Sequence, residues 1–295
     1  MIHGLCRRSG NEIMSRITTG RMDPELESLA SAYAMHPSIE AVVVSGSIAG
    51  ALADELSDFD IYAYSKTPVE VEFRESLLRP RATKLNLHRT FWEDEDAWID
   101  ATGTKFEAMY RSCSWTEGEI AARIEKHQAC IGYTTAILYN IINSTIIFDR
   151  SGWFKSIQET LSRGFPVQLV RSIVANNYPL LGEIISSYEE QIASAIRRSD
   201  TVSINHRVAA WLASYFDIIF AVNDRFHPGE KRLVSQMAEL PDLPEGAIAD
   251  VQIILSMSTS SHRELSSRLA DMREKTRRWL ESRGLLTNVQ TLVQH

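Results

Sequence analysis

The chain has 295 residues, 44% of them hydrophobic, and a formal net charge of −7 at pH 7. This length accommodates two domains with cores of their own, and no apolar run approaches the ~20 residues that a membrane span needs. The negative balance argues against extended nucleic-acid binding, and the three widely spaced cysteines fit neither a zinc site nor a disulfide framework. We therefore expect a cytoplasmic protein that does not bind membranes.

The N-terminal part of the chain predicts a tail followed by a helix and a strand. Residues 1–22 hold neither a long apolar core nor a cleavage site, which argues against a signal peptide. Asp23 and Pro24 are a good N-cap and first residue for the first helix. The apolar, β-branched segment 40–45 then predicts a buried strand that runs into a tight turn.

That turn, Gly46-Ser47, has the chemistry of a phosphate-binding site. Glycine lets the backbone approach a ligand closely, and Ser47 supplies a hydroxyl at the start of a weakly helical segment. The first N–H groups of such a segment would face a bound phosphate. The alternative is an ordinary turn.

Two acids follow after a short spacer, in the pattern Asp58-Phe59-Asp60-Ile61. Strand alternation places Asp58 and Asp60 on one face and the two apolar residues on the other. Two carboxylates in a partly dry cleft repel each other, and a hard divalent cation relieves this repulsion through its oxygen ligands. Mg²⁺ fits this role best, whereas the alternative is a solvent-facing strand edge.

A third carboxylate is expected on a neighbouring strand, since two-metal centres hold ions roughly 4 Å apart. Segment 104–110 predicts such a strand, and Glu107 lies in it between apolar neighbours. Glu107 is therefore the candidate for the third ligand. The alternative is an exposed strand glutamate paired with Lys105 or Arg111.

The rest of the first domain, which we place at 23–164, predicts a mixture of strands and helices. Segments 82–88 and 144–150 favour strands, 117–143 favours helix, and the acidic segment 92–100 favours a helix or a loop. Together these elements predict an α+β fold with a small mixed sheet.

The second domain, 165–295, predicts an all-helical bundle, with helical segments separated by Pro, Gly or Ser. Asp217 and Asn223 lie in one of these helices, and Lys231 follows a His-Pro-Gly turn. One hypothesis has Lys231 contacting a triphosphate, with Asp217 or Asn223 facing an acceptor. The alternative has Asp217 salt-bridged inside the bundle and Lys231 on the surface.

The strand, the Gly-Ser turn and the Asp-x-Asp pair together resemble the defining motif of the polymerase-beta-like nucleotidyltransferase superfamily. A Phe-Asp-Arg-x-Gly turn at 148–152 and the pattern Asn-x-x-x-His-Pro-Gly-x-Lys-Arg at 223–232 narrow the resemblance. Over roughly residues 42–244 the chain is similar to standalone bacterial nucleotidyltransferase-domain proteins. Their layout is similar to that of the antibiotic nucleotidyltransferases.

The resemblance implies roles for the motif residues. Gly46 and Ser47 would bind the donor phosphates, and Asp58, Asp60 and Glu107 would hold two Mg²⁺ ions, although the superfamily more often has Asp at the third position. The implied reaction transfers an NMP from an NTP, with ATP the expected donor, to a hydroxyl group. The general base remains open between Glu107 and Asp217.

The expected acceptor is a small molecule such as an aminoglycoside-like antibiotic, since the acidic run 93–96 is compatible with a cationic compound. The alternatives are an RNA or protein acceptor, or a non-catalytic, antitoxin-like binding module. Neither the acceptor, the base preference nor the oligomeric state follows from the sequence.

Overall fold

A computed structural model describes residues 24–45, 59–260, 262 and 264–286. The chain divides into two compact units, the first comprising the chain up to Ile120 and Asn140–Arg163, and the second comprising Ala121–Tyr139 and the chain from Gly164. The segment Ala121–Tyr139 lies in the second unit, whereas the predicted boundary after residue 164 assigns it to the first domain. The prediction of helix over 117–143 was wrong in its middle, because one helix ends at Ile124 and the next begins at Ala136. Between them His127, Gly132 and Tyr133 have positive φ values, which an α-helix does not allow.

The first unit contains a six-stranded mixed sheet with the strand order β3-β4-β5-β2-β1-β6. β2 and β5 pair in parallel, and the other neighbours pair antiparallel. The strands are β1 (Ile39–Ser45), β2 (Phe59–Ser65), β3 (Lys84–Arg89), β4 (Glu95–Ile99), β5 (Lys105–Ser112) and β6 (Thr145–Asp149).

Two helices, α1 (Pro24–Ala34) and α2 (Val71–Leu78), cover one face of this sheet. A short 3₁₀ turn, Arg79–Arg81, follows α2. Apolar residues alternate along the strands, so every second side chain enters the core beneath the helices. The buried strand residues of this core include Val42, Val44, Phe59, Ile61, Ala63, Trp98, Phe106 and Ala108.

The opposite face of the sheet carries the polar side chains of the same strands. α3 (Cys113–Ile124), α4 (Ala136–Ile142) and α5 (Trp153–Leu161) complete the helices that begin in this half of the chain. Phe154 of α5 packs on Tyr64 with ring centroids 5.0 Å apart. The polar residues that alternate onto this face include Ser45, Asp60, Tyr62, Glu107 and Arg111.

The prediction of a helix or loop over 92–100 was wrong, because β4 occupies Glu95–Ile99. Two of its residues, Glu95 and Asp96, are buried, although a run of acids usually marks a solvated segment. Basic and hydroxyl partners from distant parts of the sequence make this burial tolerable, and local pattern cannot reveal such partners.

The second unit is helical. Its core surrounds α8, in which Trp211, Tyr215, Ile218 and Ile219 are fully buried. Of the helices in the described residues, none is long and apolar enough to cross a membrane. The mixed sheet of the first unit and the helices of the second confirm the predicted α+β class with a helical C-terminal part. The helices are α6 (Val167–Gly182), α7 (Tyr188–Arg197), α8 (Thr201–Val222), α9 (Leu233–Met237), α10 (Ala247–Ser260) and α11 (Leu265–Glu281).

Candidate functional site

Asp60 and Glu107 lie side by side on neighbouring strands. β2 and β5 are parallel, and their register pairs the Cα atoms of these two residues. Because Phe59 and Ile61 enter the helix-covered core, Asp60 is turned to the opposite face, and Glu107 shares that face. Neighbouring strands are about 4.8 Å apart, so one cation can be reached from both carboxylates.

β1 ends at Ser45, directly on the other side of Asp60. The antiparallel register of β1 and β2 pairs these two residues. Asn140 Nδ2, from α4, donates a hydrogen bond to Ser45 Oγ at 2.7 Å and so fixes the end of β1. Gly46, Ser47 and Asp58 lie outside the described residues, and their roles stay predictions.

Glu107 is held by two cations. Its Oε1 is 3.0 Å from Lys105 Nζ and 3.5 Å from Arg89 Nη1. Arg89 Nη2 also contacts Glu95 Oε1 at 2.8 Å, and burial raises the pKa of Glu95. The structural alternative paired Glu107 with Lys105 or Arg111. Lys105 does contact Glu107, whereas Arg111 binds a different carboxylate.

The donor set of this face suits a hard divalent cation. Asp60 and Glu107 offer carboxylate oxygens, which are the ligands that Mg²⁺ prefers. Within the described ranges, which omit Asp58, no group of three His, Cys, Asp or Glu residues is arranged to hold a metal ion. Asp60 and Glu107 suit such a cation by their donor chemistry, and their assignment as its ligands stays a prediction.

The acidic run 93–96 is neutralised by partners within the first unit. Each of its members contacts at least one basic or hydroxyl group. The run therefore offers little free negative charge to a cationic ligand. Its partners, in chain order, are Arg111 for Glu93, Arg74 and His88 for Asp94, Arg89 for Glu95, and Tyr110, Arg74 and the backbone N–H of His88 for Asp96.

Arg111 lies on the same face of the sheet as Asp60 and Glu107 and binds Glu93 there, a contact that the sequence did not predict. Its Nε and Nη2 each donate to the carboxylate of Glu93 at 2.7 Å. Its guanidinium lies 4.2 Å from the centroid of the Tyr62 ring. Burial alone would lower the pKa of Arg111, but Glu93 raises it above the ordinary value. No local pattern signals this pair, because its members are 18 residues apart.

Asp217 lies in the second unit and is buried. Oδ1 accepts from the backbone N–H of Thr134 at 3.0 Å, and Oδ2 accepts from the Thr134 hydroxyl at 2.6 Å and from Asn177 Nδ2 at 3.3 Å. Burial raises its pKa to about 6. These bonds join α6 and α8 to the loop before α4, so both carboxylate oxygens have partners inside the bundle.

Asn223 and Lys231 also belong to the second unit. Asn223 Nδ2 donates to the carbonyls of Ile219 and Asp242, and its Oδ1 accepts from the backbone N–H of Asp242. These bonds tie the C-terminal end of α8 to the segment around Asp242. Lys231 is exposed, and its carbonyl accepts from Gln236 Nε2 at 3.2 Å.

His227, in the His-Pro-Gly turn, is fully buried. Its Nδ1 accepts from the backbone N–H of Gly229 at 3.1 Å, so the proton of the neutral ring lies on Nε2. Within the described part of the chain, Nε2 has no hydrogen-bond partner. Burial lowers the pKa of His227 to about 4, which keeps the ring neutral at pH 7.

The chain is similar to known proteins only distantly. Residues 132–233 match a family described as a domain of unknown function (DUF4037). No curated protein matches the sequence.

Solved structures give weak superpositions. A nucleotidyltransferase-like protein from Exiguobacterium sibiricum 255-15 has a TM-score of 0.42 and 11% identity, covering 92% of this chain and 76% of its own. The Thermotoga maritima CCA-adding enzyme in complex with tRNA-CCA has a TM-score of 0.31 and 12% identity, with coverages of 93% and 85%. A CCA-adding enzyme with CTP has a TM-score of 0.31 and 11% identity, with coverages of 98% and 88%. Structures this distantly similar say nothing about the function of the chain. A functional proposal must therefore rest on the residues of the site itself.

Proposed function

We propose that the chain is a Mg²⁺-dependent nucleotidyltransferase that moves an NMP from an NTP to an acceptor hydroxyl. The observation that carries this proposal is the register of three strand ends. Asp60 pairs with Glu107 on one side and with Ser45 on the other. The predicted phosphate turn Gly46-Ser47 follows Ser45 in the chain, and a phosphate turn beside paired carboxylates is the arrangement that this reaction needs.

In this proposal each residue has a defined task. Asp60 and Glu107, together with the predicted ligand Asp58, hold the metal ions, and the Ser45–Asn140 bond positions the phosphate turn. Bound Mg²⁺ would polarise the α-phosphate and neutralise the leaving pyrophosphate. The acceptor oxygen attacks the α-phosphorus, and the bond to the β-phosphate oxygen breaks.

The proton of the acceptor hydroxyl needs a base. The sequence left Glu107 and Asp217 as candidates. Both oxygens of Asp217 already accept hydrogen bonds from Thr134 and Asn177 inside the bundle. We therefore assign the proton to Glu107, which shares the face of Asp60.

The choice of acceptor has less support than the choice of reaction. The acidic run 93–96 was one reason to expect a cationic, aminoglycoside-like acceptor, and its internal pairing with arginines removes that reason. The small-molecule acceptor now rests on the resemblance alone. RNA and protein hydroxyls remain acceptors to be tested beside it.

The test is calorimetric titration of the protein with ATP, GTP, CTP and UTP, each with and without Mg²⁺. The native chain is compared with Asp60→Asn and with Asp58→Asn/Asp60→Asn. Glu72→Gln is a matched control, because it removes an exposed carboxylate from α2 in the same unit.

We expect Mg²⁺-dependent binding of at least one triphosphate by the native chain and by Glu72→Gln, and its loss in the Asp60 variants. Transfer of the α-³²P label to small-molecule, RNA and protein acceptors then identifies the acceptor class. Absence of triphosphate binding in the native chain would reject the enzyme proposal in favour of a non-catalytic binding module.

A further inference from the structure

Arg89 reaches the face of Asp60 and Glu107 only because β3 is irregular. Leu85 and Leu87 pack against the helix-covered core, so regular alternation would direct Arg89 into that core as well. The register shifts between Asn86, which pairs with Ala97, and Arg89, which pairs with Glu95. This shift inserts one extra residue into β3 and turns Arg89 to the opposite face.

The irregularity is held by side chains rather than by a glycine. His88, at its centre, has a φ of 52°, a value that few residues other than glycine adopt. Its backbone N–H donates to Asp96 Oδ1 at 2.8 Å, and its Nδ1 lies 2.9 Å from Asp94 Oδ1. Bulges of this kind often redirect a side chain next to a functional site, so the position of Arg89 requires an explanation.

The redirected guanidinium lies between two carboxylates. Arg89 Nη2 is 2.8 Å from the buried Glu95, and Nη1 is 3.5 Å from Glu107. Lys105 Nζ is 3.0 Å from the same Glu107 oxygen. The side chains of Arg89 and Lys105 are 29% and 44% exposed, so a ligand can reach both of them.

We propose that Arg89 and Lys105 bind the phosphates of the donor nucleotide and serve as counterions of Glu107 until the metal nucleotide arrives. This inference rests on the proposed function. When a divalent cation binds Glu107, the two basic groups lose their partner there, and the triphosphate brings new negative charge to the same face. Exchange of partners keeps every charge paired, which a partly dry site requires.

Glu95 gives Arg89 a fixed orientation during this exchange. Its carboxylate stays bound to Nη2, so Nη1 of Arg89 remains directed to the face of Glu107. Arginine suits this double ion pair, because its planar guanidinium presents its charge along more than one edge. Lys105 acts as a more mobile point charge.

The proposal predicts effects of opposite sign for one substitution. Lys105→Met removes a competitor for Glu107, so Mn²⁺ alone should bind about 3- to 10-fold more tightly. The same variant lacks a phosphate ligand, so Mg²⁺–ATP and Mg²⁺–pyrophosphate should bind about 10-fold or more weakly. A merely structural lysine would not produce this reversal.

Both affinities are measured by calorimetry, and Mn²⁺ binding is also followed by electron paramagnetic resonance. Lys84→Met is the control, because it removes the same charge from an exposed position on β3. It should change either affinity by less than about twofold. Arg89→Lys accompanies Arg89→Met, since it keeps a positive charge beside the buried Glu95 and shares the predicted loss of nucleotide affinity.

Opposite shifts in Lys105→Met, with weaker nucleotide binding in Arg89→Lys, support the proposal. If the native chain binds Mg²⁺–nucleotide and both variants bind it equally well, the proposal is overturned while the proposed function stands. If the native chain binds no nucleotide, both fall together. If Lys84→Met weakens nucleotide binding as much as Lys105→Met does, the effect is one of general charge, and the proposal is rejected.

Discussion

The backbone N–H and the hydroxyl of Thr134 both donate to the buried carboxylate of Asp217, at 3.0 and 2.6 Å. Asn177 Nδ2 adds a third donor at 3.3 Å. The three donors come from two segments remote in sequence from α8, so one carboxylate joins three parts of the second unit. The acid that interrupts the apolar sequence of α8 thus has a structural role there.

Asp217→Ala should lower the free energy of unfolding by about 2–4 kcal/mol, because it leaves the donors of Thr134 and Asn177 buried without an acceptor. Chemical denaturation followed by circular dichroism measures the change. Glu245→Ala, at an exposed position of the same unit, should stay within about 0.5 kcal/mol of the native chain. Equal stability of the two variants would contradict the structural role.

The pH dependence of the Asp217 contribution follows from its raised pKa. Burial moves this pKa from 3.8 to about 6, so between these values the folded chain holds a proton that the unfolded chain has released. The contribution of Asp217 is therefore full below about pH 4 and decreases as the pH rises to about 6, by roughly 3 kcal/mol.

The measurement is the difference in unfolding free energy between the native chain and Asp217→Ala at several pH values. It should shrink from pH 4 to pH 6 and stay constant above. A difference that grows with pH would show that the hydrogen bonds to the charged carboxylate outweigh its burial.

His227 should show the opposite dependence over nearly the same range. Burial lowers its pKa from 6.5 to about 4, so the unfolded chain binds a proton there that the folded chain does not. The native chain should therefore lose stability as the pH falls from 6.5 to 4, by roughly 3 kcal/mol. In His227→Asn an amide oxygen can replace Nδ1 as acceptor for Gly229, and this loss should disappear.

Unfolding of the native chain and His227→Asn is compared at pH 7 and pH 4.5. From pH 7 to pH 4.5 the free energy of unfolding should fall more in the native chain than in His227→Asn. His262→Asn, at a residue that is only partly buried in the second unit, is the control and should follow the native chain. Parallel behaviour of His227→Asn and the native chain would mean that the ring is solvated when folded.

The pattern of single strands predicted the face of the sheet on which Asp60 lies. Phe59 and Ile61 flank Asp60, and this alternation places Asp60 opposite the core, as the structure shows. The strand that carries Glu107 was also predicted, because its neighbours are apolar. The exact pairing of Asp60 with Glu107 depends on long-range strand register, which local sequence does not encode.

Other features depend on partners far along the chain. β4 was missed because its acids Glu95 and Asp96 are neutralised by Arg89, Arg74 and other residues that no local pattern connects to it. The face of Arg89 would be predicted wrongly by alternation, since the bulge at His88 has no glycine to mark it. Long-range charge pairing and one inserted residue thus account for much of what the sequence left open.

Gly132 combines a left-handed backbone with a close neighbour. Its φ is +72°, and a Cβ there would lie 3.1 Å from Ala213 Cβ. Gly132→Ala should therefore lower the unfolding free energy by about 2–4 kcal/mol, from backbone strain and crowding together. Thermal and chemical unfolding measure this loss.

Gly284→Ala separates the two causes. Gly284 has a φ of +65°, and a Cβ there would meet nothing within 4 Å. This variant should lose only the backbone part, about 1–2 kcal/mol. If both variants lose the same amount, contact with Ala213 contributes nothing.

Asn140 connects the fold to the proposed reaction. Its Nδ2 donates to Ser45 Oγ at 2.7 Å, which fixes the end of β1 directly before the predicted phosphate turn. Asn140→Ala should weaken Mg²⁺–nucleotide binding about 10-fold, because the turn must then be ordered when the ligand binds. The cost in unfolding free energy should be about 1–2 kcal/mol, because the variant also loses the bond that Asn140 Oδ1 accepts from Arg111 Nη1 at 3.5 Å.

Calorimetry on folded protein gives the affinity, and denaturation gives the stability. Asn205→Ala is the matched control, because Asn205 is partly buried and bonds only to the carbonyl of Thr201 in its own helix among the hydrogen bonds of the described residues. It should leave nucleotide affinity unchanged. If Asn140→Ala also binds nucleotide as the native chain does, the end of β1 needs no side-chain support, and the role of Ser45 in positioning the turn is disproved.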